Sequence, residues 1–454
     1  MNILFKMKNS LTKQRINIIV ILFLYSLFWF IITPRKHMFE LSDFYGSFSV
    51  FILGSLLYFK AVKKNNYFDF DTIFVCVYFL VGYFPTFFYG AAIYPYLFLH
   101  FPFDEAYINS SSWLFTIGIL SYYIGRVTKL SPVQDSADNG IINTELSSLI
   151  LISLFFVYIF LGGHHRYESI YLNSGNNTNG VVVQIEILIT AFTFVIMATE
   201  LYNKKRSKSY KIKKIPFVII AILFLLLLYV GNRTVPSYFI LAFLGIYSLL
   251  FRSISFTRMC VLILLGIVGM WIVGVHRGGN DIAVQSNMAM YAVDMTINTR
   301  NTYVAMEYVD QYGFTYGKTM LYGILGIIPF LSSFLGVDKD TIGSAEVLTD
   351  FTYKNITVDR DYIGLGTNII ADIYLSFGTI GVIFFMFVIG LLVNKYTKCA
   401  AKLNYYSLVI FAVIMSVSVF GVRTGVTHPS RMIVWALLIA YLNKQYTLVK
   451  CRKK

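Results

Sequence analysis

Runs of about 20 mostly apolar residues, the length a helix needs to cross the hydrocarbon of a bilayer, recur from Ile16 to Leu442 with few charges inside them. No other feature restricts the fold so tightly. A backbone in lipid must satisfy its own hydrogen bonds, and only helices and closed barrels do so. Segments such as IPFVIIAILFLLLLYV at 215–230 show no alternation of apolar and polar residues, which argues against a barrel. With 57% hydrophobic and 13% charged residues, a soluble domain around one buried core is a poor description as well. The expected fold class is an all-α polytopic membrane protein.

Twelve transmembrane helices are expected, near residues 16–33, 41–59, 71–91, 108–125, 146–162, 182–201, 215–230, 236–251, 259–275, 367–393, 404–421 and 432–447. Both termini then share one side. Placing the N-terminus inside puts 26 of the 38 Lys and Arg on the inner side, including KKRSKSYKIKK at 204–214 and the C-terminal KCRKK. The positive-inside rule therefore predicts cytoplasmic termini. The formal charge of +15 reports orientation on this reading, and no nucleic-acid partner is expected. The first segment has Lys6, Lys8, Lys13 and Arg15 ahead of its apolar run and lacks a small-residue cleavage site, so it is expected to stay as the first span. Cys76, Cys260, Cys399 and Cys451 form no C-x-x-C pair, and neither a disulfide nor a zinc site is expected.

Residues 1–275 thus hold spans one to nine, 276–366 a single large outer loop, and 367–454 spans ten to twelve with a basic tail. Loops of that length tend to be functional. Inside it, TMLYGILGIIPFLSSFLG at 319–336 is apolar, but Gly323, Gly326 and Pro329 break it. A crossing there would also move Lys395, Lys398, Lys402 and the basic tail to the outside. The segment is expected to be interfacial or re-entrant.

Orientation explains the inner lysines and leaves the outer basic residues unexplained. Eight of those are Arg, and all six His are also outside. The turns GNRT at 231–234 and GVRT at 421–424 each end an outward-going span and precede a Pro-Ser pair. Arg233, Arg277, Arg423 and Arg431 all lie within a few residues of span ends. Guanidinium groups make bidentate, charge-assisted bonds to phosphate, so convergence on a lipid-linked phosphate or pyrophosphate is one reading. Snorkelling to head groups or helix capping is the other. His428 and His276 are imidazoles able to relay protons near neutral pH. His276 and Arg277 open the loop in VHRGGND at 275–281, whose glycines either admit an anion or simply end a helix. Asp372, in GTNIIADIYLSFGTIGV at 366–382, is expected either to pair with these Arg or to act as a base, and Glu186 is read in the same way. The loop's Arg300, Arg360, Asp350, Asp359 and Asp361 stand among many Tyr, a composition suited to sugars. No P-loop, Rossmann fingerprint, H-E-x-x-H or G-x-S-x-G is present, so the substrate itself must supply the energy of any reaction.

The multi-span plan with one large late outer loop, the G-x-R turn at 231–233, the HRGG that opens the loop and DIYLSFGTIG at 372–381 that leaves it resemble the bacterial O-antigen polymerases, Wzy, and related oligosaccharide repeat-unit polymerases. The resemblance implies glycosyl transfer on the periplasmic face of the inner membrane, similar to the C-type integral-membrane glycosyltransferases, with no metal and no cofactor. A growing glycan on undecaprenyl pyrophosphate would move to the terminal sugar hydroxyl of another lipid-linked repeat unit. The implied partners are these donor and acceptor glycolipids and membrane lipids, with a chain-length regulator as a further candidate. Arg233, Arg277, Arg360, Arg423 and Arg431 would then bind pyrophosphate, with His428, His276 and Asp372 as competing candidates for the base. O-antigen ligases have a similar plan with a large loop and a periplasmic His, so THPSR at 427–431 fits either family. A repeat-unit flippase or transporter is a third reading, although transporters gather charge at the midplane and here it sits at the outer rim.

Overall fold

The computed structural model describes residues 2–33, 38–90, 101, 103–130, 140–163, 180–229, 232–275, 297–337, 342–354 and 364–452. Among these the regular structure is entirely helical. The helices are α1 (Asn2–Ile32), α2 (Leu41–Val62), α3 (Phe70–Gly82), α4 (Phe84–Gly90), α5 (Ile108–Val127), α6 (Glu145–Phe160), α7 (Gly180–Arg206), α8 (Lys214–Tyr229), α9 (Thr234–Leu250) and α10 (Phe256–Val275). They continue with α11 (Arg300–Tyr312), α12 (Lys318–Leu325), α13 (Leu331–Phe334), α14 (Ser344–Lys354), α15 (Ile369–Ala401), α16 (Tyr405–Ser416) and α17 (Ser430–Arg452).

The stretches expected to span fall largely on helices, that at 71–91 on α3 and α4 together and that at 404–421 on α16 and the 3-10 turn after it, but six segments are long and apolar enough to cross a membrane on their own: Leu11–Ile32, Leu41–Val62, Phe70–Tyr89, Gly180–Arg206, Ile369–Ala401 and Ser430–Arg452. Length or burial separates most of the others. The helices α6 and α8 have 16 residues each, about 24 Å at 1.5 Å per residue, against roughly 30 Å of hydrocarbon. By contrast α5 has 20 residues but is buried along nearly its whole length, so it carries Asn109, Ser110, Ser111, Ser112 and several Tyr in place of lipid-facing aliphatics.

The helix α5 is the post against which α15, α1 and α2 pack. Glycines let α5 and α15 approach backbone to backbone: a Cβ on Gly390 would lie 2.3 Å from the Tyr122 carbonyl oxygen, and one on Gly125 2.1 Å from that of Phe387. A second group forms around α7, which packs against α6, α9, α16 and α17.

Buried polar links hold the Lys-rich end of the bundle. The Arg126 guanidinium donates from Nε and Nη2 to the two Asp71 carboxylate oxygens at 2.7 and 2.5 Å, while Asn394 receives Nη1 at 3.5 Å, tying α3, α5 and α15 together. Buried Glu200 accepts from Thr144 at 2.6 Å, Tyr210 at 3.0 Å and the Lys213 backbone N–H at 3.1 Å, which anchors the basic connection after α7.

At the opposite end, α15 changes direction at Gly378, whose φ of 62° is a left-handed conformation natural to glycine. The carbonyls of Leu375 and Ser376, freed by the break, accept from the N–H groups of Thr315 and Tyr316 at 2.9 and 3.1 Å. Discontinuous helices re-satisfy their backbone in this way. The apolar stretch 319–336 contains α12, of 8 residues, and α13, of 4, with turns between them.

Candidate functional site

The turn between α16 and α17 is where α9, α12 and α15 meet. Ser416 ends α16, a 3-10 turn at Phe420–Val422 follows, and α17 starts at Ser430. Between them the chain GVRTGVTHPSR places Arg423, His428 and Arg431 on one short connection. Gly425 and Pro429 break the helical pattern here, which is why the chain turns.

Four tethers set its shape. The Val426 N–H donates to Asp372 Oδ2 at 2.8 Å. A Cβ on residue 425 would sit 2.9 Å from that same oxygen, so glycine is what admits the carboxylate. Thr427 donates to the Met320 carbonyl at 3.2 Å, fastening the turn to α12. Asn298 donates to the Arg423 carbonyl at 3.2 Å, and Asn368, which caps α15, donates to the Asn298 carbonyl at 2.7 Å. Finally, Trp435 in α17 donates to the Ile327 carbonyl at 3.0 Å.

Asp372 is fully enclosed in the first turn of α15. Besides Val426 it is met by the Thr319 hydroxyl at 3.3 Å and by Ser344. The Arg partner expected for it is not among the described residues. Its carboxylate clasps α12, α14 and the 425–428 turn to α15.

His428 differs. Its ring is accessible to solvent, yet enough protein surrounds it that burial, with the Arg431 guanidinium close by, holds the imidazole below its ordinary pKa of 6.5. One edge of the ring is therefore open beside Arg431 and Tyr238. Its Nε2 lies 3.3 Å from the hydroxyl of Tyr238 on α9, whose ring stands edge-on to Phe420 at 5.4 Å.

Arg431, half-buried, donates from Nη2 to Gln184 on α7. Two residues on, buried Glu186 meets the Asn232 amide at 3.5 Å. Asn232 also caps α9, accepting from the N–H groups of Thr234 and Val235 at 3.0 and 3.2 Å. Arg233 follows Asn232 in the chain, at the start of α9. Arg423, His428 and Arg431 thus share one turn that meets α9 through Tyr238 and α7 through Gln184, with Arg233 at the start of α9. His276, Arg277 and Arg360 lie outside the described residues.

Arg300 is fully enclosed near this assembly. It donates from Nη2 to Thr352 at 2.6 Å and from Nη1 to Asn301 at 3.3 Å, and its guanidinium lies over Phe101 at 5.8 Å. Burial pushes its pKa down to about 10, opposed by Glu307 and Tyr353. It remains a cation at neutral pH.

Sequence reasoning missed Tyr238, Gln184, Thr319 and Asn298. Tyr238 and Gln184 are single polar groups in apolar runs, a weak signal in a chain with 34 Tyr. Asn298 and Thr319 had none beyond residue type.

A family model described as O-antigen polysaccharide polymerase Wzy matches residues 15–447 of the 454. No curated protein and no solved structure matches the chain significantly.

Proposed function

Because the chain belongs to the O-antigen polysaccharide polymerase Wzy family, a family of membrane-embedded polymerases acting on lipid-linked oligosaccharides, we propose that it joins undecaprenyl-pyrophosphate-linked repeat units on the periplasmic face of the bacterial inner membrane. On this reading the chain crosses twelve times, shorter helices included, both termini are cytoplasmic, and residues 276–366 form a periplasmic loop whose 319–336 segment lies along the membrane surface. The loop, the α16–α17 turn and the outer ends of α7 and α9 then enclose the reaction.

The chemistry is a displacement at the anomeric carbon of the donor. The acceptor hydroxyl oxygen forms the new bond, the bond to pyrophosphate breaks, and the electron pair leaves with polyprenyl pyrophosphate. Negative charge grows on that leaving group, and preorganised donors facing it lower the barrier more than any other single device. Arg233, Arg423 and Arg431, joined by Arg277 and Arg360, are assigned to the two pyrophosphates. Asp372 is assigned to holding the turn, since its carboxylate is enclosed and bonded to Val426, Thr319 and Ser344. The hydroxyl proton then falls to an imidazole, His428 or His276. The reaction draws its energy from the donor's pyrophosphate bond, and no metal is assigned. The observation that carries this reading is the presence of Arg423, His428 and Arg431 on one turn tied to α15 through Val426 and Asp372.

The test is a gel profile of surface polysaccharide from a host lacking this gene. A core bearing one repeat unit and no ladder supports the polymerase. A core with no unit favours a flippase or a ligase, and lipid-linked polymer accumulating with it favours the ligase. Complementation with Arg423→Ala at wild-type protein level is expected to restore no ladder and Arg423→Lys little; full ladders from both would refute the clamp. Ala345→Cys, in a chain without its four native cysteines, is expected to react with an impermeant thiol reagent from the periplasm. Labelling only after the inner membrane is opened would overturn the orientation.

A further inference from the structure

We infer that Tyr238 is a positioning residue that makes His428 a hydrogen-bond donor to the pyrophosphate rather than the base of the reaction; this rests on the polymerase reading. The Tyr238 side chain is 5% exposed, and among the described residues its hydroxyl meets one partner, His428 Nε2, at 3.3 Å. A phenol is neutral at pH 7 and carries one O–H donor. A buried donor left unmade costs more than a made bond contributes. The phenol therefore gives its proton to Nε2, and a neutral imidazole that accepts at Nε2 carries its own proton on Nδ1.

The surroundings hold this arrangement in place. Phe420 stands edge-on to the phenol ring, with an interplanar angle of 90°. The His428 backbone is set by its N–H donating to the Gly425 carbonyl at 3.0 Å. Burial, and the Arg431 guanidinium beside it, disfavour a positive charge on the ring. The ring edge away from Tyr238 then carries Nδ1–H as a fixed donor, and a neutral imidazole is an established way to polarise an oxygen that is gaining charge. Its lone pair is occupied, so it takes no proton from the acceptor hydroxyl. That leaves His276 as the remaining candidate for the base.

Two measurements test this, one of them without substrate. In protein labelled with 15N-histidine and reconstituted in bilayers, the His428 signals are assigned by their disappearance in His428→Gln. The expected pattern is a protonated Nδ1 and an unprotonated Nε2, with the proton redistributing to Nε2 in Tyr238→Phe. A proton on Nε2 in the wild type overturns the assignment. The second measurement uses substitutions that mimic each nitrogen. The amide N–H of His428→Asn superposes on Nδ1–H and is expected to lose the least rate of the two. The amide of His428→Gln reaches the Nε2 position and is expected to lose about 10²- to 10³-fold in rate, the usual effect of removing one donor to a developing charge. With both variants at wild-type protein level and monodisperse in detergent, equal loss in the two overturns the donor role. The expected tautomer in a protein whose deletion leaves the polysaccharide ladder intact upholds the Tyr238 contact and refutes the polymerase reading.

Discussion

Replacing Asp372 by Asn and by Ala separates a clasp from a base. The carboxylate accepts the Val426 N–H at 2.8 Å and the Thr319 hydroxyl at 3.3 Å, bonds to a charged group contributing about 1.5–3 kcal/mol each. In Asp372→Asn the amide oxygen keeps the Val426 bond at the strength of a neutral pair, about 1 kcal/mol, and the amide N–H turns toward the Thr319 hydroxyl, which can also accept. The expected loss is about 1–2 kcal/mol. Asp372→Ala leaves the Val426 N–H without this acceptor, at about 1–3 kcal/mol, while the Thr319 hydroxyl keeps Ser376 at 2.9 Å and loses a bond to a charged group of about 1.5–3 kcal/mol, for a total of about 2.5–6 kcal/mol. Thermal challenge followed by fluorescence-detected size exclusion ranks the three proteins, and complementation of the deleted host reads the ladder. A clasp predicts that Asn retains most of the ladder and that Ala loses ladder and stability together. If Asp372→Asn is as stable as the wild type but makes no polymer, Asp372 handles the proton and the assignment of its role to structure is refuted.

Gly390→Ala is expected to prevent a monodisperse protein, because its Cβ would lie 2.3 Å from the Tyr122 carbonyl oxygen and 3.0 Å from the Arg126 nitrogen, both backbone atoms; overpacking of this kind costs about 3 kcal/mol, and a wild-type melting temperature would show that α5 and α15 do not approach so closely. Arg126→Ala strands the buried Asp71 carboxylate and is expected to cost about 3–5 kcal/mol, whereas Asp71→Asn with Arg126→Met is expected to recover much of it; equal loss in both would refute the pair as the cause. The folded protein holds the His428 pKa below 6.5, so the unfolded chain takes this proton first as pH falls. Stability is expected to be level above about pH 6.5 and to decline below it, with the part due to this residue missing in His428→Gln; an identical decline in that variant would refute the burial of a neutral imidazole.

Much of the fold was legible because the bilayer imposes a local rule. Ile215–Tyr229 is apolar throughout, and that alone makes it helical in lipid. The break at Gly378 was not legible, since GTIG at 378–381 lies in a continuous apolar run, and the bonds that stabilise the break come from Thr315 and Tyr316 in another part of the chain. In the site, Arg423, His428 and Arg431 could be named because charged groups at span ends are costly and stand out. Asp372 stood out as well, and charge complementarity pointed to Arg; the partners it meets among the described residues include a backbone N–H beside Gly425, which residue type could not announce.

The amino-acid sequence by itself determined the membrane as solvent, the helical class, the approximate ends of the apolar runs and the basic and imidazole groups available at one end. These depend on length and composition within single segments, which read the same whatever the neighbours are. Tertiary structure alone decided which groups meet: Tyr238 with His428 across 190 positions, Arg431 with Gln184 across 247, Arg126 with Asp71 across 55. Hydrogen bonds are short and directional, so their partners are chosen by how the helices pack and not by any period along the chain.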